Sequence, residues 1–367
     1  MYTVNIGNKH FTLDNKQTIL SLVDDPDKRY VCAKVNNRLR ELSYELSFDC
    51  DVQLLDLKDA DAVKVYETSL RYMIAMAFHN VYPDYKIKIC YGVSRSLMVT
   101  IMSPSVKPDG RMVEAVTAEM RRLVVLNLPF ERMSMSKTDA YDMFVANGDL
   151  DKALTLQYRP EKICHFHKCG DYVNYMYGYV VPSTGYINRF RMFVYDGNIV
   201  CQYPRYEMNG EIPEFKDEPT FSKVQKRAYK WAKLCDAALI SGVNAHVTEA
   251  TEVDFINMNE TLHNDMLHDL GSQILSDIEN IKLICIAGPS SSGKTTFSNR
   301  LRIELMARGI TPLRISLDMY YKNREDIPYD EHGVQDFEDI NALDVELFNK
   351  QMTALIAGEE GELPVYQ

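Results

Sequence analysis

Residues Gly288 to Thr295 read G-x-x-x-x-G-K-T, and the chemistry of that spacing is the binding of phosphate groups. Gly288 and Gly293 let the backbone wrap closely around phosphate oxygens. Ser290, Ser291, Ser292 and Thr296 complete a loop whose amides face an anion at the positive end of the helix that follows. Lys294 would set its ammonium on the β- and γ-phosphates, and the Thr295 hydroxyl would ligate Mg²⁺, so ATP and Mg²⁺ are the expected cofactors. Farther along, Asp318 follows a second apolar stretch. There a carboxylate could take the proton of an acceptor hydroxyl as it attacks the γ-phosphate.

Such a loop needs a strand before it and a helix behind it. Leu283, Ile284, Cys285 and Ile286 form a continuous apolar run, the pattern of a strand buried on both faces of a parallel sheet. A helix closing on Gly309 and a second strand over Leu313 to Leu317 would complete the opening of a βαβ unit. Upstream, residues 1–60 alternate in short strands, with Gly7-Asn8 as a turn and one short helix near Ile19. Helical periods follow: Val65, Leu70, Met73, Ile74, Ala77 and Phe78 share one stripe, and Met112, Val116, Met120 and Leu123 another. A third helix, Lys137 to Asn147, closes on Gly148. Stretches rich in Tyr, Phe and Val then run to about Tyr203, giving an α+β domain over 61–220, while 221–280 reads as a helical connector.

Composition narrows the classes. The 367 residues are 46% apolar and carry a formal charge of −11, enough chain for two or three domains and no general basic coat for nucleic acid. No run approaches the roughly 18 apolar residues of a membrane span. Eight cysteines lack a disulfide rhythm, and with no signal peptide in view the expected location is the cytoplasm. From Lys322 onward there are 12 acidic residues and 3 basic ones, a run that reads as a solvated face or as one half of a pair with a basic segment.

The segment Ser316-Leu317-Asp318-Met319-Tyr320-Tyr321 resembles the S-x-D-x-[FY]-[YH] motif of the uridine kinase and phosphoribulokinase family. Gln335-Asp336-Phe337-Glu338 is similar to that family's Asn-Phe-Asp segment, with a longer acid at Glu338, and Leu363-Pro364-Val365-Tyr366 to its I-P-x-Y strand. The resemblance implies Asp318 and Lys294 as catalytic residues and Glu338, Tyr320 and Tyr366 as contacts to a uridine-like nucleoside. It also implies an α/β phosphate-loop domain over 281–367 with a parallel sheet, incomplete because the lid and further strands would lie beyond Gln367. On that expectation the chain is a fragment of a kinase and inactive by itself.

A second resemblance lies upstream. Cys32-Ala33-Lys34-Val35-Asn36-Asn37-Arg38-Leu39-Arg40-Glu41-Leu42-Ser43 is similar to the TGS module, a β-grasp domain at the start of threonyl-tRNA synthetases. Residues 61–203 resemble the editing-type domain that follows it, with Asn127 to Arg132, Gly170 to Val173 and Val181-Pro182-Ser183-Thr184-Gly185 as matches. That domain carries an H-x-x-x-H pair and a later Cys and His. Thr68, Tyr72, Met176 and Val180 stand at those positions, which makes neither a zinc site nor a hydrolytic one.

Two further clusters are weighed on residue type alone. In Cys164-His165-Phe166-His167-Lys168-Cys169 a strand would split the ligands between two faces, so a β-hairpin is expected instead of a metal site. Tyr172, Tyr175, Tyr177, Tyr179 and Tyr186 can stack bases, but with little interleaved Lys or Arg they are expected on a sheet face in the core. The sequence therefore reads as a multidomain protein: β-grasp, editing-like α+β and phosphate-loop α/β. The expected function is ATP-dependent phosphorylation of a nucleoside hydroxyl, with no membrane partner and with RNA ranked behind the nucleoside. The alternatives are another sugar or sugar-phosphate kinase, and an RNA- or small-ligand-sensing protein whose phosphate-loop domain is a nucleotide-dependent switch. Neither the acceptor nor the oligomeric state can be read from the residues.

Overall fold

A computed structural model describes the chain except for Pro104, 330–332, Val334, Glu338 and 365–367. It forms two compact units, Met1–Ala245 and His246–Gln367. The first unit opens with β1 (Tyr2–Ile6), β2 (Lys9–Leu13), β3 (Gln17–Thr18), α1 (Ile19–Leu22), β4 (Cys32–Val35), β5 (Arg38–Arg40), β6 (Glu45–Leu46) and β7 (Cys50–Leu55). Five of these strands form a mixed sheet in the order β2-β1-β7-β4-β5, in which only the β1–β7 pair is parallel. Val4, Ile6, Val35 and Val52 fall on its covered face, as the period-two alternation requires. The β4–β5 hairpin turns at Asn36 and Asn37, with φ of +44° and +62°, the conformation a two-residue hairpin needs and asparagine tolerates.

The rest of the unit is built on α2 (Ala60–Val81). Its N-cap Asp59 accepts from the amides of Asp61 and Ala62. Then come β8 (Ile87–Tyr91), β9 (Leu97–Ile101) and α3 (Gly110–Leu126), the latter capped by Asp109 and closed by left-handed Asn127. Next are β10 (Glu131–Ser136), α4 (Lys137–Ala146), α5 (Leu150–Gln157), β11 (Ile163–Cys169), β12 (Tyr172–Asn174), β13 (Arg191–Tyr195), β14 (Asn198–Gln202) and α6 (Pro219–Leu234). One antiparallel sheet runs β13-β14-β9-β8 and a smaller one β10-β11-β12. A single core from Val4 to Tyr203 joins the first sheet to α2, α3 and the larger second sheet. Phe144, Leu156 and Phe166 make a separate core beneath α4 and α5.

α7 (Ile240–His246) ends at the boundary between the units. The second unit contains α8 (Glu252–Ser276), α9 (Lys294–Ala307) and α10 (Val345–Ile356). Leu267 and Ile274 of α8 pack on Leu301 and Leu305 of α9, and Arg300 reaches Glu260 at 2.9 Å. The expected parallel sheet is a correction. Among the described residues neither 282–287 nor 311–317 is a strand, and Leu283 and Leu313 are 53% and 62% exposed. An apolar run marks a two-faced buried strand only where other strands take its amides and carbonyls. The described residues here supply helices and isolated bridges, not a sheet. The chain is thus an α/β protein of several sheets, all of them in the first unit.

Candidate functional site

In the second unit α9 begins at Lys294, directly behind Gly293, whose φ of +86° is open to glycine at little cost. The amides of Lys294, Thr295 and Thr296 open the helix and have no intrahelical acceptor, and among the described residues no side chain caps them. Lys294 folds back over the loop, with Nζ 2.6 Å from the Gly288 carbonyl oxygen and 2.9 Å from that of Pro289. A Cβ at Gly288 would come within 2.8 Å of Ser292 Oγ, so the turn closes tightly there. Ser290, Ser291, Ser292, Thr295 and Thr296 are all exposed. A cleft of about 750 Å³ opens beside the loop, bounded by His263, Leu270, Ile286, Phe297 and Leu301.

Asp318 does not line that cleft. It lies exposed in a short 3₁₀ turn, where Ser316 Oγ donates to its Oδ2 at 3.2 Å. Tyr320 is buried, its hydroxyl bonded to Gln351 Oε1 at 2.7 Å and its ring set edge-on to Phe348, so it anchors α10. Glu338 and Tyr366 lie outside the described residues.

In the first unit Thr68 and Tyr72 stand one turn apart on α2, and the segment carrying Met176 and Val180 crosses that face. A Cβ at Gly178 would be 3.6 Å from Thr68 Oγ1, and the Val181 amide donates to Ser69 Oγ at 2.9 Å. The four positions are given to packing. Thr68 donates to the Lys64 carbonyl, and Val180 and Tyr72 are buried. The Tyr72 hydroxyl meets the carbonyls of Tyr172 and His167 at 2.7 and 3.0 Å. Among the described residues no three His, Cys, Asp or Glu side chains gather as metal ligands.

Beside this face lies a polar cluster that sequence reading missed. Glu41, just past β5, is buried yet ionisable. Its Oε1 accepts from the Val180 amide at 2.8 Å, its Oε2 from Arg132 Nε at 3.0 Å, and His167 Nε2 stands 3.8 Å away. Burial alone would push the Glu41 carboxyl upward. His167, the Val180 amide and Arg132 together outweigh it and hold the group below its usual range. Among the described residues neither ring nitrogen of buried His167 has a hydrogen-bond partner. Arg132 also lies over the Tyr179 ring at 5.4 Å, while Arg40 Nη1 reaches the Tyr179 hydroxyl at 3.3 Å. The only sequence signal was a carboxylate beside inward-facing Leu42, and its partners are 91 to 139 residues away.

Four of the five tyrosines pack as expected: Tyr186 lies in the large core, Tyr172 and Tyr179 against it, and Tyr175 against the smaller one. The chain leaves the sheet after Asn174, and Tyr177 is 87% exposed.

No family model matches the chain. Threonine–tRNA ligase of Carboxydothermus hydrogenoformans is 27% identical over 166 residues, 45% of this chain and 26% of its own length. That of Methylococcus capsulatus is 28% identical over 168 residues, with the same two shares. For Acidithiobacillus ferrooxidans the match is 25% over 258 residues, 68% of this chain and 38% of the relative. The chain thus spans between about a quarter and two-fifths of the length of these relatives. The names overturn the nucleoside-kinase reading: the relatives are threonine–tRNA ligases and not phosphotransferases with an alcohol acceptor, and neither the uridine-like partner nor the kinase activity finds support among them. Neither the sugar-kinase nor the sensing alternative gains support, and the roles of Asp318, Glu338, Tyr320 and Tyr366 toward a nucleoside fall with the kinase. What remains is a chain similar, through its amino-terminal region, to the threonine–tRNA ligases.

Proposed function

We propose that the amino-terminal unit is a TGS-like β-grasp module joined to an editing-like α+β module, and that it binds the single-stranded 3′ end of a tRNA without hydrolysing an ester there. The observation that carries this reading is the Tyr179 ring beneath Arg132, its hydroxyl accepting from Arg40, with exposed Tyr177, set beside a face of α2 that holds Thr68 and Tyr72 in place of a ligand pair. Aromatic faces backed by guanidinium groups stack unpaired bases, at about 1–3 kcal/mol per base. Thr68, Tyr72, Met176 and Val180 offer no metal-bound water and no general base. The test compares a tRNA acceptor-stem hairpin with and without its 3′ single strand. The tail should tighten binding at least about tenfold, most of which Tyr177→Ala combined with Tyr179→Ala removes. A 3′-aminoacyl ester should stay intact. Equal affinity for the two RNAs, or ester cleavage, contradicts the reading.

We infer separately that Gly288 to Thr296 bind the phosphates of Mg-ATP. Uncapped amides at the start of α9 and a lysine held in the mouth of the loop are what such an anion requires. Bound there, the nucleotide would meet Lys294 through its β- and γ-phosphates, and the Thr295 hydroxyl would hold Mg²⁺.

A further inference from the structure

The cleft beside Gly288 to Thr295 is lined by two kinds of residue. Gly293, Lys294 and Thr296 belong to the loop and the first turn of α9, whereas Leu270, Ile286 and Phe297 are apolar. Its volume of about 750 Å³ is that of a small-molecule site, and among the described residues no Asp or Glu lines it. The helix explains why the two kinds meet. Lys294, Phe297 and Leu301 stand three and four residues apart, so they share one face of α9. Leu301 is buried in the core that α9 makes with α8, and Phe297 is half-buried against that core. His263 of α8, also half-buried, faces the Phe297 ring with centroids 6.5 Å apart and planes tilted by 45°. A pair of aromatic rings thus stands one helical turn from the lysine that covers the loop.

We propose that this cleft holds the purine base of a nucleotide whose phosphates lie on the loop, with the base packed on Phe297 and His263. The inference rests on the Mg-ATP reading and deepens it by naming where the base sits. Continuity selects the occupant: a cleft that joins cationic and apolar walls suits a ligand with an anionic end and a flat apolar one. Aromatic side chains stack on the π-face of a base, and a purine covers more of such a wall than a pyrimidine does. The edge of the base needs a donor and an acceptor. Ile284 to Ala287 also line the cleft, and their main-chain groups make no hydrogen bond with another described residue. They can supply both.

The test titrates the full chain in Mg²⁺ with ATP, CTP and inorganic tripolyphosphate. Tripolyphosphate carries at least as much negative charge as ATP, so charge alone ranks it no lower. ATP should bind at least about fivefold more tightly than tripolyphosphate, and more tightly than CTP. Phe297→Leu keeps an apolar side chain and removes the ring. It should bring ATP close to tripolyphosphate and leave tripolyphosphate itself unchanged. Phe297 also touches the core of this unit, so His263→Ala serves as the second variant and should act in the same direction. ATP no tighter than tripolyphosphate, or variants that weaken both equally, overturns the base site. In that event, tripolyphosphate binding that Lys294→Ala removes upholds the loop by itself. CTP as tight as ATP overturns the choice of a purine. Binding of neither ATP nor tripolyphosphate refutes the Mg-ATP reading, and the base site falls with it.

Discussion

Replacing Glu41 by Ala lowers the unfolding free energy of the amino-terminal unit by about 1–3 kcal/mol, the range for leaving a buried hydrogen-bonding group without its partner. The side chain is 6% exposed and gathers the Val180 amide, Arg132 and the His167 ring. It extends from the small mixed sheet while its partners belong to the module built on α2. Truncation would leave the Val180 amide buried without an acceptor, which carries most of the cost, while the Arg132 guanidinium, 59% exposed, stays solvated. Glu41→Gln keeps the shape and loses the charge, so it isolates the electrostatic part. Because the folded-state carboxyl is held below its usual range, the unfolded chain binds the proton more readily. The stability it supplies is complete above the unfolded value, near 4.5, and is lost as pH falls through the lower folded value. The gap between wild type and Glu41→Gln should therefore be widest near pH 7 and shrink below about pH 4.5. Urea unfolding read by the fluorescence of Trp231, the single tryptophan and a member of this unit, measures it. A gap that stays constant from pH 7 to pH 3 refutes the assignment.

The same cluster marks how far the sequence could be read. Local patterns were legible. The alternation in Tyr2–Ile6, the stripe of α2 and the Gly7-Asn8 turn each express a preference within a few residues, and each forms where the pattern puts it. The strands β8 and β9 were not legible, because each is only five residues long and their pairing is fixed across a loop. Nor was α5, only eight residues long with Leu150 and Leu154 facing outward.

Tertiary demands account for the remaining misses. The run at Leu283 to Ile286 has the composition of a buried strand, but composition cannot state whether neighbours exist to take its hydrogen bonds. The tyrosines after Asn174 keep a period of two without a ladder to enforce it, so they serve other contacts. Glu41 is the extreme case, since nothing near it in the chain records that Arg132, His167 and Val180 will surround it.

The loop from Gly288 to Thr295 is the reverse case, in which a local motif brings its own geometry: Gly293 in the left-handed region, amides that no described side chain caps and a lysine over two carbonyls. Lys294→Ala should therefore reduce the affinity of the full chain for Mg-ATP at least about 30-fold. Removing one partner of a close charged contact costs about 2 kcal/mol or more, and each 1.4 kcal/mol is a factor of ten. The free loop already positions the ammonium, so a bound triphosphate would displace two carbonyls at 2.6 and 2.9 Å and gain a charge of opposite sign. Thr295→Val separates the metal from the phosphates. It should weaken binding when Mg²⁺ is present and leave the weaker, metal-free binding in EDTA unchanged, because only the hydroxyl that would ligate the ion is lost. Titration calorimetry with ATP, with and without Mg²⁺, reads both. If Lys294→Ala binds as tightly as wild type, the ammonium does not meet phosphate and the loop is only a turn. If Thr295→Val weakens binding equally in EDTA, the hydroxyl acts on the phosphates themselves and the metal is held elsewhere.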